Sequence, residues 1–229
     1  KMPRADWAFV GAMLFPLPPL PEQTAIARFL DYMERRIRRV IRARQRRIKL
    51  LEEYKQSLIH QVVTGKCEVR RVKDETGAVR LELIPRPPET MKDSGIQWLG
   101  QVPAHWEVRR LKTVCRLAYG DSLPDSARSN GEVPVLGSNG QVGLHTNSNT
   151  LAPCIVIGRK GSFGKVTYSA ISVFAIDTTF FVDRRQSLEN LRWLYYLLGW
   201  LHLDDVARDS AIPGLNRDEA YQRTISIPP

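Results

Sequence analysis

Cysteine is scarce in this 229-residue chain: only Cys67, Cys115 and Cys154 occur, an odd number with wide gaps. That spacing excludes a disulfide framework and a CxxC metal knuckle, and all three are expected as reduced structural thiols. The four histidines, His60, His105, His145 and His202, have no ligand-like spacing among themselves or with cysteine, so no metal site is expected. Long apolar runs are also missing. No stretch approaches the roughly 18 uninterrupted apolar residues of a membrane span, and the N-terminus lacks the charged-then-apolar plan of a signal peptide. A soluble, cytoplasmic protein without a membrane partner is the expectation. Because Lys1 is not an initiator and the sequence stops at Pro228-Pro229, a piece of a longer polypeptide is expected.

Catalytic signatures are lacking too. Gly158-Arg-Lys-Gly-Ser-Phe-Gly-Lys165 looks like a phosphate loop, but Arg159 stands where the first glycine belongs and Val166 follows the lysine in place of Ser or Thr. Pro124-Asp125 followed by Glu132 hints at a metal-dependent nuclease, yet Val133 and Pro134 leave no lysine behind that glutamate. No Asn-Pro-Pro-Tyr or Asp-Pro-Pro-Tyr tetrapeptide for methylating base amino groups occurs. The expectation is a binding protein with no catalytic site and no cofactor of its own.

What the chain has in excess is positive charge, formally +10, and it is concentrated. Between Pro21 and Lys73 Lys and Arg outnumber acids 15 to 6, which favours a polyanionic partner. The same segment is free of Gly and Pro from Glu22 to Thr64, after a proline-rich stretch, Phe15 to Pro21, that should be extended. A helix of about 65 Å follows from Pro21 to about Val63. Its apolar residues recur at steps of four and three, Ile26, Leu30, Met33, Ile37 and Val40, then Leu51, Tyr54 and Leu58. Such a seam belongs to a coiled coil and marks these positions as partner-binding. Arg44 and Arg47 interrupt it, within a run from Arg35 to Lys49 that holds nine basic residues and no acid. That run is either a surface for DNA backbone or an acidic partner, or a solvated face.

Gly65 suits the left-handed residue that ends a helix. Residues 67–100 are charged and broken by Pro85, Pro87 and Pro88, and are expected as a linker with short β-like pieces, Glu68 to Val72 and Val79 to Ile84, and a hairpin around Thr76-Gly77. From Gln101 onward glycines, asparagines and serines separate short apolar runs: Val133 to Leu136, Cys154 to Ile157, Val166 to Tyr168, Val173 to Ile176 and Thr179 to Val182. A packing helix is expected over Leu191 to Val206, with Trp193, Tyr195, Tyr196 and Trp200 as core, then a short helix and a strand at Thr224 to Ile227. The fold class is therefore α+β, a twisted mixed sheet with packing helices attached to a long coiled-coil helix. The expected divisions are 1–20, 21–66, 67–100 and 101–229.

Two loops of that sheet are candidates for contact with nucleic acid. Arg159, Lys160, Ser162 and Lys165 lie in a turn expected to expose backbone amides, and a plain hairpin turn is the alternative. Ser138, Asn139 and Gln141 lie in Gly137-Ser-Asn-Gly-Gln-Val-Gly143, where Asn and Gln suit adenine, or the loop is only a tight turn.

Several of these segments, taken in order, resemble the specificity subunits of type I restriction-modification systems. Pro18-Pro-Leu-Pro-Glu-Gln23, the long helix and Gln61-Val-Val-Thr-Gly-Lys66 are similar to that family's central conserved region. Ser94-Gly-Ile-Gln-Trp-Leu-Gly100 and Pro103-Ala-His-Trp-Glu-Val108 are similar to the approach to its second target-recognition domain. Ile157 to Ser162, Ala175 to Thr179, Tyr195 to Leu198 and Ser210 to Asn216 are similar to that domain's interior. The resemblance implies sequence-specific recognition of double-stranded DNA, with modification (methyltransferase) subunits that carry S-adenosylmethionine and a restriction motor-nuclease subunit as partners. It also implies a first recognition domain and a second helix, which are not found in this sequence; two copies could pair their helices as a homodimer. An assembly subunit that reads no DNA, or an RNA-binding module using the basic helix, are the competing expectations.

Overall fold

The computed structural model describes residues 6–14, 16–75, 77–207 and 214–229. Phe15 of the proline-rich stretch, Thr76 of the expected hairpin turn and residues 208–213, with most of the Ser210 to Asn216 motif, lie outside them. The chain divides into two compact units, Lys1–Tyr54 and Lys55–Pro229.

The first unit is helical. A short helix, α1 (Trp7–Gly11), is capped by the Asp6 carboxylate, which accepts from the Ala8 amide at 2.9 Å. The long helix, α2 (Leu20–Val63), begins where the prolines end. The Pro19 carbonyl accepts the Gln23 amide at 3.0 Å, and the Gln23 side chain reaches back to the Pro18 carbonyl at 2.7 Å. Along the seam Met33 is half-buried, whereas Ile26, Leu30, Ile37, Val40, Leu51 and Tyr54 are 46–62% exposed. Nothing among the described residues of its own unit covers this stripe. Arg38 pairs with Glu34 and Lys49 with Glu53, while Arg44 and Arg47 have no ion pair among the described residues.

In the second unit the last turns of α2 are anchored. Ile59 packs on the core, Val63, Thr64 and Gly65 are buried, and Gly65 takes φ +71°. A Cβ there would lie 2.4 Å from the Pro103 ring and 3.1 Å from Trp106, so only glycine lets the helix end against this Pro-Ala-His-Trp segment. Residues 67–100 form two antiparallel ribbons: β1 (Cys67–Lys73) with β2 (Val79–Pro85), and β3 (Met91–Asp93) with β4 (Gln101–Pro103). Leu99 and Val102 are buried, which ties the second ribbon to the unit's interior.

The remaining strands are β5 (Glu107–Arg110), β6 (Ala118–Tyr119), β7 (Val133–Gly137), β8 (Gly140–His145), β9 (Cys154–Gly158), β10 (Val166–Ser169), β11 (Phe174–Ala175), β12 (Thr179–Val182) and β13 (Thr224–Ile227). They form no single sheet. A four-stranded sheet has the order β10-β9-β12-β6, a three-stranded sheet β11-β7-β8, and β13 pairs with β5. The class is α+β, as the apolar runs imply.

Both central strands, β9 and β12, are buried along their whole length. Side chains of a strand alternate between faces. Ile155, Ile157, Phe180 and Val182 therefore join the larger core with Leu191, Leu194, Leu197 and Leu198 of helix α3 (Leu191–Trp200). Cys154, Val156 and Phe181 point the other way, into a smaller core with Leu136, Val173 and Ala175. The four-stranded sheet is thus a middle layer between helix and three-stranded sheet. A further helix, α4 (Arg217–Gln222), adds Ala220 to the same larger core, and the Leu117 amide donates to its Tyr221 hydroxyl at 2.8 Å. Trp193, Tyr195, Tyr196 and Trp200 are half-buried against the larger core. Burial raises the Cys115 thiol to about 12 and also pushes up Cys154. No helix of the described residues is long and apolar enough to cross a membrane.

Candidate nucleic-acid interface

The loop between β9 and β10 is a closed turn. The Gly158 amide donates to the Lys165 carbonyl and the Gly164 amide to the Gly158 carbonyl, each at 2.9 Å. Arg159 and Lys160 amides both donate to the Thr178 carbonyl, at 2.8 and 3.1 Å, and Phe163 donates to Gly161 at 2.9 Å. The expectation of exposed amides is corrected at these five positions, because each N–H is satisfied by a carbonyl. None of these five N–H groups is free to cradle a phosphate.

The second loop, between β7 and β8, packs directly against the first. The Ser138 hydroxyl donates to the same Thr178 carbonyl at 2.6 Å, which commits it to joining the loops. Lys165 Nζ donates to the Asn139 carbonyl at 2.8 Å and to Asn139 Oδ1 at 3.1 Å. Gly158 makes this approach possible: a Cβ there would stand 2.2 Å from the Ser162 carbonyl and 3.2 Å from Ser138 Cβ. Gln141 is exposed, with its amide 3.3 Å from the Gly143 carbonyl. Ser162 and Lys160 are exposed, and Lys160 has no side-chain partner among the described residues.

Arg159 is held in place without being neutralised. Its Nη1 donates to the Asp177 carbonyl at 3.1 Å, and its Cζ lies 4.9 Å from the Tyr119 ring centroid and 5.8 Å from that of Phe180. Arg217, at the start of α4, also lies 4.9 Å from the Tyr119 centroid. Tyr119 is about half exposed and both arginines are half-buried, so one ring holds two guanidinium groups together. The Leu215 amide donates to the Arg159 carbonyl at 2.8 Å, and Gly214 bridges Lys160, bringing the α4 approach to the loop. Tyr119 and Arg217 were invisible to sequence reasoning. Neither stands in a motif, and their meeting with Arg159 is made only by β6, β12 and α4 folding together.

The partner-binding candidates divide between the units. Ile26, Leu30, Met33, Ile37, Val40, Leu51 and Tyr54 lie in the first, while Leu58 is half-buried in the second. Among the described residues no three His, Cys, Asp or Glu side chains are placed to hold a metal ion.

Comparison of the fold finds it in a structure on complex assembly and conformational transition of the type I R-M system. The identity is 18% and the TM-score 0.54, over 94% of this chain and 49% of that one. The fold is one found in the type I restriction-modification system. Two further solved structures are similar at lower scores. The HsdS subunit from Thermoanaerobacter tengcongensis gives 18% identity and a TM-score of 0.47, over 94% of this chain and 48% of that one. The S subunit of the type I restriction-modification system from M. genitalium gives 20% and 0.48, over 54% and 34%. The chain thus spans half or less of the length of these proteins. No protein-family model matches the sequence, and no curated protein matches it.

Proposed function

We propose that the chain recognises a specific sequence in double-stranded DNA as a specificity component of a type I restriction-modification complex, without catalysis of its own. The observation that carries this reading is the convergence of two polar loops on the Thr178 carbonyl. In this reading Arg159, Lys160 and Gln141 of the two joined loops face the duplex, and the meeting of Arg159 with Arg217 at the Tyr119 ring supports it. Guanidinium groups read guanine through paired hydrogen bonds and amides read adenine, while ammonium groups hold phosphates. The likeness of fold and the motifs of the sequence support the same reading.

In this reading S-adenosylmethionine belongs to a partner modification subunit, and a restriction motor-nuclease subunit joins the complex. The uncovered stripe on α2 supports a helical partner; a second copy of the chain, pairing stripe with stripe, meets the same requirement. The test is selection from random duplex DNA with the modification subunit present. One enriched sequence, bound ~1,000-fold or more above bulk duplex, is the expected outcome. Equal affinity for all duplexes at moderate salt overturns the reading and favours an assembly subunit.

A further inference from the structure

The opposite end of the four-stranded sheet carries a second charged surface. β12 leads away from the two loops at Thr178 and delivers the chain to Asp183, about 17 Å off at ~3.3 Å per residue. There a groove of about 390 Å³ opens between residues 109–116 and the turn 184–189. Arg109, Lys112, Arg116, Arg184 and Arg185 line it, against a single lining acid, Glu189. Arg109 pairs with Glu107 and Arg185 with Asp183. Lys112, Arg116 and Arg184 are exposed and have no side-chain ion pair among the described residues.

Leu188 stands on the rim and is 98% exposed. A lone exposed leucine is ordinary. This one is presented on a rigid turn: the buried Ser187 hydroxyl donates to the Val114 carbonyl at 2.9 Å and accepts the Glu189 amide at 3.2 Å. The Arg116 amide donates to the Gln186 carbonyl at 2.9 Å, stitching the two walls together. Below the turn lies the buried Asp183. Burial opposes its charge, but hydrogen bonds from the Arg185 side chain and from the Leu151 and Arg185 amides outweigh that and hold its pKa below the ordinary value.

We propose that this groove docks an acidic face of a partner protein, with Leu188 entering an apolar hollow in that face. The proposal rests on the reading of the chain as one member of an assembly. Three unpaired cations call for carboxylates, and a fixed leucine calls for an apolar socket, which a phosphate backbone does not supply. A duplex seated on the two loops lies at the other end of the sheet.

The test titrates the purified modification subunit against the whole chain, its Leu188→Ser variant and the double variant Arg116→Glu, Arg184→Glu. Circular dichroism and melting of each variant serve as controls, and Leu188 is too exposed for its replacement to disturb the core. Each variant should bind the modification subunit at least tenfold more weakly while keeping the duplex preference of the parent. Unchanged affinity in both variants overturns the docking groove and leaves the assembly reading intact. If the parent chain itself binds no modification subunit, the assembly reading fails and the groove with it. Weaker duplex binding with a shallower salt dependence in the double variant reassigns the groove to DNA and overturns the proposal.

Discussion

Gly65 and Gly95 share φ +71° and differ in their surroundings, so one substitution at each separates backbone strain from crowding. An alanine Cβ in this left-handed region costs ~1–2 kcal/mol, offset by ~0.4–1 kcal/mol from a stiffer unfolded chain. Gly95→Ala meets nothing within 4 Å and should lose only that difference, ~0–1.6 kcal/mol. Gly65→Ala carries the same strain and also drives Cβ to 2.4 Å from the Pro103 ring, with Trp106 behind it. Both neighbours are buried, and forcing a methyl into such packing costs a further ~1–3 kcal/mol. For a unit of this size, ~2–4 °C of melting temperature follows each kcal/mol. Gly65→Ala should therefore melt ~2–12 °C below Gly95→Ala, and urea unfolding should give the same order. Equal stability of the two variants, within about 0.5 kcal/mol, would refute the claim that the end of α2 is seated against the Pro103 ring.

Three further outcomes follow from the interface, the helix end and the seam. Arg159→Lys keeps the charge and removes the planar fork, so discrimination between the selected duplex and a scrambled one should fall by ~1–3 kcal/mol with the salt slope retained. Lys160→Ala should instead weaken both duplexes alike and reduce the slope by about one, and an unchanged slope removes Lys160 from the phosphate contacts. His60 accepts the Trp200 indole N–H at 3.0 Å, and burial, then the nearby Lys66 ammonium, lower its pKa from 6.5. Its contribution to stability is present above pH 6.5 and is lost as pH falls through the folded-state value, so His60→Gln should flatten the acid side of the stability profile. Ile37→Asp on the exposed stripe should leave the melting temperature of the isolated chain unchanged and weaken helix-mediated association in sedimentation; a destabilised monomer would contradict its 53% exposure.

Elements whose residues determine their own surroundings could be read from the sequence. Thr179 to Val182 and Thr224 to Ile227 coincide with β12 and β13, because an apolar run bounded by turn residues has few ways to be buried other than as a strand. Helix α2 was legible for the opposite reason: nothing between Glu22 and Thr64 interrupts a helix, and Gly65 supplies the stop. The stretch 67–100 reads as a charged linker with one hairpin around Thr76-Gly77, and β1 with β2 is that hairpin, whereas the second ribbon, β3 with β4, is not announced by its residues. β3 and β4 have three residues each, too few to show the alternation by which a half-buried strand is recognised.

The candidate surface was legible only in its parts. Composition and turn residues mark the loops at 138–141 and 158–165, but what those side chains do is decided by partners far along the chain. Ser138, read as a polar contact, is turned toward Thr178, and Lys165 is turned toward Asn139. Arg159 meets Tyr119 and is joined there by Arg217, so a residue chosen for its charge gains its orientation from one aromatic ring and one neighbour that no local pattern marks. Loop chemistry thus supplies the candidates, and the buried pair β9 and β12 selects among them by fixing which ends of the chain meet. A change in β12 that shifted Thr178 would release both loops at once, since Arg159, Lys160 and Ser138 all donate to that one carbonyl.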